Sequence, residues 1–363
     1  MPQGMHLLIE CKMTIINRCR ASGVYRAANN EMKRFATFLC VIVLLAGGSS
    51  AWAWNPVGHM AIASMAYDEL PAARRAELAE LLKDHPRYEV DFRGAIPADV
   101  PVEQRDRWIF MRAAIWPDVA RSFTGADLAA YHRPIWHYLD IPVFLDDPAR
   151  DAIHPHFDLD YHKATAEQLM NAVQALHKNL DDLNDPMVHR GKKAVALCWV
   201  LHLAGDLHQP LHGAALFSTG RFRQLPAGDR GGNEIHVHEK EGLLASFKTP
   251  NLHALWDCAL GIDESYPALM NVAEAIKAER GGVASSVAKL DPADWAQESN
   301  AVAQEVVYTR EVLALVRAGE ANPKEPLAVF EITDEYMKAA REAARKRAAM
   351  AGLRTAAILR GER

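Results

Sequence analysis

Residues 199–212 read Trp199-Val200-Leu201-His202-Leu203-Ala204-Gly205-Asp206-Leu207-His208-Gln209-Pro210-Leu211-His212, at the end of an apolar periodic stretch that begins at Lys192. On a helix, His202 and Asp206 are four residues apart and project from one face, the spacing at which two side chains grip a metal ion. Pro210 ends the helix and lets His212 approach from the following turn. A second pair, His253 and Asp257, repeats the spacing within Asn251–Cys258. One such pair is more often an ordinary hydrogen-bonded couple. Two are more informative, because both sit among apolar residues (Leu201, Leu203 and Ala204; Leu252, Ala254 and Leu255). Burying several carboxylates and imidazoles is costly unless cations neutralise them. Imidazole and carboxylate without thiolate suit catalytic zinc better than a structural cysteine site.

Outward from this stretch the periodicity is helical nearly throughout. It predicts helices over Pro71–Asp84, Pro101–Ile115, Ala164–Leu180, Lys192–Leu207, Asn251–Leu260, Met270–Lys277, Ala293–Ala318 and Asp334–Leu359. Strand-like alternation is scarce. Phe217–Glu241, with the turn cluster Gly228-Asp229-Arg230-Gly231-Gly232-Asn233, is the main irregular segment and is expected to hold a small hairpin or an active-site loop. Half of the residues are hydrophobic and 24% charged, enough for a packed core. The expected fold is all-α, a single mostly helical domain over residues 54–363. The basic residues of the last helix, among them Lys338, Arg341, Arg347 and Arg354, read as a solvated face opposite an inner stripe of Met337, Ala344, Met350 and Leu353 rather than as a nucleic-acid surface.

The start of the chain reads differently. Lys33-Arg34, an apolar run to Leu45 and the small residues before Trp54 form a secretory signal over 32–53, too short to span a membrane. Residues 1–31 read as an upstream extension. Together residues 1–53 hold six of the 41 Lys/Arg and two of the 46 Asp/Glu, so the remainder carries 35 against 44, a net charge of −9. That balance gives no basic surface for a polyanion, which bound cations would have to attract locally. Two cysteines, Cys198 and Cys258, remain beyond the signal, either paired or buried as thiols. Cleavage before Trp54 implies a secreted or periplasmic protein and frees the Trp54 α-amino group, which can chelate a metal together with its own carbonyl.

Three further candidates complete the set: His59, Asp118 in Ile115-Trp116-Pro117-Asp118, and His137 in Pro134-Ile135-Trp136-His137. The series Trp54-Asn55-Pro56-Val57-Gly58-His59, Trp116-Pro117-Asp118, Trp136-His137, His202-x3-Asp206, Gln209-Pro210-Leu211-His212, Gly231-Gly232-Asn233 and His253-x3-Asp257 resembles the S-one/P-one nuclease family, tri-zinc single-strand-specific nucleases of the zinc phospholipase C/nuclease superfamily. The resemblance runs from Trp54 to the last helix and implies a mostly helical domain. It implies one zinc on Asp118, His137, His202 and Asp206, a second on His212, His253 and Asp257, and a third on the Trp54 amino and carbonyl groups, His59 and Asp206, with Asp206 bridging. It further implies Arg121 as a phosphoryl clamp, so that Asp118, Asp206 and Arg121 act at the reacting phosphate, and Tyr138, Asp140 and Asn233 as base and nucleotide contacts. Arg121 as a surface ion pair, and Tyr138 and Asp140 as packing and a helix cap, are the plainer readings. His208, His236 and His238 match no ligand position.

The function so implied is zinc-dependent hydrolysis of single-stranded DNA and RNA to 5′-phosphorylated products, extending to 3′-nucleotidase activity, with nucleotides as substrates and no stable protein partner. A zinc phospholipase C acting on phospholipid is the alternative, and a non-catalytic zinc store a third class.

Overall fold

Asn55 opens the fold as a helix cap: its Oδ1 accepts from Gly58 N at 3.1 Å, and Pro56 supplies the fixed φ favoured at a first helical position. Helix α1 (Pro56–Glu69) follows, buried without interruption from Val57 to Ala66. The computed structural model describes residues 54–156, 160–163 and 165–362; the proposed extension 1–31 and signal 32–53 lie outside the described residues. The main elements after α1 are α2 (Ala72–Leu82), α3 (Arg105–Ala113), α4 (Ala172–Asn184), α5 (Arg190–Asp206), α6 (Leu252–Asp257), α7 (Tyr266–Ala278), α8 (Pro292–Val302), α9 (Arg310–Gly319) and α10 (Asp334–Leu359). The chain is mostly helical, as expected from its periodicity.

Helix α5 lies at the centre, touching α1, α2, α3, α4 and α10. From Ala196 to Asp206 every residue is buried, so its His and Asp positions are interior. Around it the main apolar cluster gathers Phe110, Trp116, Trp136, Leu176, Trp199 and Trp295. A second cluster, with Leu211, Ile235, Leu252, Trp256, Tyr308 and Tyr336, supports α6 from the other side.

Four expectations change. The helix expected over 164–180 begins instead at Ala172, where Asn171 and Gln174 form a reciprocal capping box, and continues to Asn184. The helix expected over 293–318 is two helices, α8 and α9. The chain turns inward at Tyr308, whose buried hydroxyl donates to Asp229 at 2.9 Å, and Thr309 caps α9. The segment 217–241 is not a hairpin. Its ends join separate two-stranded parallel pairs: β1 (Pro142–Phe144) with β2 (Ala215–Phe217), and β3 (Val237–His238) with β4 (Phe330–Glu331).

The fourth change is in α10. Arg347 and Arg354 are buried rather than solvated. Arg354 grips Glu298 of α8 bidentately, Nη1 to Oε2 at 2.7 Å and Nη2 to Oε1 at 2.8 Å, and Arg347 Nη1 reaches the same Oε2 at 2.8 Å. Helical spacing cannot distinguish an arginine that enters a core with its partner from one that faces water. Cys198 and Cys258 are both free, buried thiols.

Candidate metal centre

The centre is assembled from the C-terminal half of α5, the turn after it, α6, the start of α1 and the turns at Trp116 and Pro134. Asp206 is at its middle. Its Oδ1 lies 3.3 Å from His59 Nε2, and its Oδ2 lies 3.2 Å from both His137 Nδ1 and His202 Nε2. Asp118 Oδ1 is 3.8 Å from His202 Nε2 and 4.0 Å from His137 Nδ1. His212 Nε2 is 3.2 Å from His253 Nε2, which is 3.5 Å from Asp257 Oδ2. The eight His and Asp side chains expected as ligands are all buried and fall into three groups, His59/His202/Asp206 and Asp118/His137/His202, which share His202, and His212/His253/Asp257.

The backbone aims these rings. Nδ1 of His202 lies 2.7 Å from Ala114 O, Nδ1 of His212 2.6 Å from His137 O, and Nδ1 of His253 2.7 Å from Gly231 O. A carbonyl only accepts, so in each ring Nδ1 carries a proton and Nε2 faces the centre, the orientation a metal ligand needs. Leu139 N returns a bond to His212 O at 2.8 Å, locking the His137 and His212 segments together.

Gly231 makes this support possible. Its φ of 59° lies in the left-handed region, and an added Cβ would stand 2.5 Å from Leu211 O. Asn251 caps α6 by accepting from Ala254 N at 2.8 Å, which fixes His253 one residue into that helix.

Residues 54 and 55 are drawn to the same place. Trp54 Nε1 donates to Gly205 O at 3.1 Å, and Asn55 N donates to Asp257 O at 3.1 Å, so the start of the fold lies between the two ligand-bearing helices. His59 stacks on His202 with ring centres 4.1 Å apart.

The electrostatics fit cations. Burial lowers the pKa of His59, and burial followed by the Arg121 charge lowers that of His137 to about 3, so both rings are neutral donors. Burial opposes the charge of Asp206, yet the surrounding imidazoles of His202, His137 and His59 hold its carboxyl well below the usual range. Burial, with Asp118 and Asp206 nearby, drives Asp257 well above it. His59 Nδ1 and Nε2, His137 Nε2 and Asp206 Oδ1 are buried without hydrogen-bond partners among the described residues. Buried polar atoms rarely lack partners, and several such atoms on three neighbouring imidazole and carboxylate side chains make a donor set suited to divalent cations without thiolate.

At the rim, Arg121 is 14% exposed and its Nη2 lies 2.7 Å from Oδ1 of the buried Asp118, an ion pair that is not on the surface as the plainer reading had it and that points the guanidinium toward the centre. Tyr138, 37% exposed, follows His137 directly. Asp140 is partly buried; burial, then the charge of Asp229, raises its pKa to about 8. Asn233 is turned onto its own loop, donating to Arg230 O at 2.7 Å and accepting from Asn251 at 3.4 Å. His236 bridges to Asn251, and His238 pairs with Glu331 at 2.7 Å on the surface, both apart from the centre.

A match to the S1/P1 Nuclease family model spans residues 54–361. The chain belongs to that family. It is therefore a nuclease, a hydrolase acting on nucleic acid. No curated protein matches the chain. No helix among the described residues is long and apolar enough to cross a membrane.

Two residues with clear structural duties had no role assigned from sequence. Gln209 donates to Asp257 Oδ1 at 2.7 Å and its Oε1 accepts from Leu211 N, joining the two ligand segments. Asp229, fully buried, accepts from Leu216 N at 2.8 Å and from the Tyr308 hydroxyl, anchoring the glycine turn beneath His253. The place of Gln209 between Asp206 and His212 was a usable signal; Asp229 had only its turn context.

Proposed function

We propose that this nuclease is zinc-dependent, holds three Zn2+ in the buried centre and hydrolyses single-stranded DNA and RNA to 5′-phosphorylated products, with 3′-nucleotidase activity at the same site. The convergence of eight buried His and Asp side chains with unpartnered donor atoms carries this reading. Asp118, His137, His202 and Asp206 would hold one ion, and His212, His253 and Asp257 a second. His59, Asp206 and the amino and carbonyl groups of Trp54 would hold the third. Bound zinc would activate water and offset phosphate charge.

The chain's own residues do the rest. Asp118 holds the Arg121 fork toward the centre, where it would clamp phosphoryl oxygens in two parallel hydrogen bonds. Gln209 fixes the Asp257 carboxylate. Tyr138 offers an exposed ring for an unpaired base, and Asp140, with its raised pKa, offers a carboxyl able to donate as well as accept near neutral pH. Asn233 would contact the nucleotide from the glycine turn. The family match begins at residue 54, the residue expected to follow signal cleavage, which supports a secreted or periplasmic protein with a free Trp54 amine.

Purified cleaved protein loaded with zinc should degrade single-stranded DNA and RNA, leave phosphatidylcholine intact and lose activity on chelation. Asp206→Ala should be the most damaging ligand change. Hydrolysis of phosphatidylcholine without cleavage of nucleic acid would instead favour the phospholipase reading.

A further inference from the structure

Outside the buried centre, the described residues bring together one other set of imidazole and carboxylate groups: His162, His177 and Asp291, all exposed. They come from three segments remote in sequence: the stretch 160–163, helix α4, and the residue that caps α8. His162 Nε2 lies 3.9 Å from Asp291 Oδ2, His177 Nε2 lies 4.0 Å from Asp291 Oδ1, and the two rings are 5.6 Å apart. These separations are too long for hydrogen bonds. Two ligands each about 2.0–2.2 Å from one tetrahedral zinc lie roughly 3.3–3.6 Å apart, and the three ligand atoms, all within 4.8 Å of one another, reach that spacing by rotation of exposed side chains.

The backbone beneath the three groups is fixed independently. Asn171 Nδ2 donates to Tyr161 O at 3.4 Å and Gln174 Nε2 donates to Lys163 O, so the capping box of α4 clamps the chain on both sides of His162. His177 stands three residues beyond Gln174 on the same helix face. Asp291 is held by its cap bond from Ala293 N at 2.9 Å, and Trp295 Nε1 ties the preceding Lys289 O at 2.8 Å. Three solvated side chains drawn into one place by separate backbone anchors differ from a chance acidic cluster, because two of the three are imidazoles, the commonest metal-ligating side chain.

We propose that His162, His177 and Asp291 form a surface site for one Zn2+ ion, with water completing its coordination. The three-residue donor set and its exposure make this site weaker than the buried centre and exchangeable with free metal. Occupancy would pin the 160–163 segment to α4 and α8.

The test is zinc uptake by the full cleaved protein, dialysed to equilibrium against a series of free Zn2+ concentrations, with bound metal counted by mass spectrometry. Wild type should take up one ion per chain more than His177→Ala. Asp291→Asn retains a good helix cap and should lose the same ion. Cleavage of single-stranded DNA and the tightly held zinc should be unchanged in both variants. Equal uptake by wild type and His177→Ala at every concentration would overturn the site. Because the comparison is between chains with the same buried centre, that result would leave the reading of the centre intact.

Discussion

Gly205 precedes Asp206, the carboxylate at the middle of the centre, and its missing side chain is what admits His59. An added Cβ would fall 2.7 Å from His59 Nδ1 and 3.0 Å from its Cε1. Ordinary contacts of this type are about 3.5–4.0 Å, so in Gly205→Ala the ring must move by roughly 0.5–1 Å. It cannot retreat freely, because His202 is stacked against it. Overpacking of this kind costs about 1–3 kcal/mol, while alanine in a helix returns up to about 1 kcal/mol over glycine. The net loss of stability should therefore be about 0–2 kcal/mol, and the protein should still unfold cooperatively. The effect on function should be larger, because the displaced imidazole is the one that faces Asp206 Oδ1. A misplacement near 1 Å can cost about 100-fold in rate. Urea unfolding, zinc content and turnover of single-stranded DNA, measured on one preparation, separate these effects. Expected are near-wild-type stability, the loss of one tightly bound zinc and a fall in turnover of about 100-fold. Full zinc content with wild-type turnover would refute the role given to His59.

Tyr138→Ala should weaken cleavage of single-stranded DNA and RNA together by about 5- to 150-fold, since stacking contributes about 1–3 kcal/mol per base, with zinc content unchanged; selective loss on one substrate would contradict a stacking role. Protein retaining even one residue before Trp54 carries an amide where the chelate needs an amine, and should lose one zinc and most activity when assayed beside the cleaved form. Glu298→Gln should destabilise the protein by about 3 kcal/mol, the low end for breaking a buried pair because Glu298 is 26% exposed, as read by urea denaturation. Burial opposes ionisation of Glu298, but hydrogen bonds from Arg354 and Arg347 outweigh it and lower its pKa. Its contribution is thus present above the ordinary glutamate pKa and lost as pH falls through the lowered one, and Glu298→Gln should lack that acid-side dependence.

The helical class and two His/Asp pairs of the centre were legible because both rest on short-range spacing, whereas His59, Asp118 and His137 stood out only through the resemblance. His202/Asp206 and His253/Asp257 are i,i+4 pairs among apolar residues, and any fold that buries those helices also buries the pairs. What joins the pairs was not local. Nothing in spacing announces that Gly231 O lies beneath His253 or that Ala114 O orients His202, because these are backbone groups supplied by distant turns. The same holds for His208. It lies in the densest ligand stretch, yet its Nδ1 meets Ala204 O at 2.7 Å and its Nε2 accepts from Arg354 at 3.0 Å, which leaves it no lone pair for a metal. Its partner comes from α10, 146 residues away. The two parallel strand pairs escaped for a related reason: each is only two or three residues long and joins segments far apart in sequence, too short for an alternation to register.

The most direct test is anomalous diffraction at the zinc edge from crystals of the cleaved, zinc-loaded protein. Three peaks are expected within the buried centre: one among Asp118, His137, His202 and Asp206, one among His212, His253 and Asp257, and one among Trp54, His59 and Asp206. An active protein whose crystals show no peak at Asp206, or only one ion among these residues, would contradict the three-zinc centre.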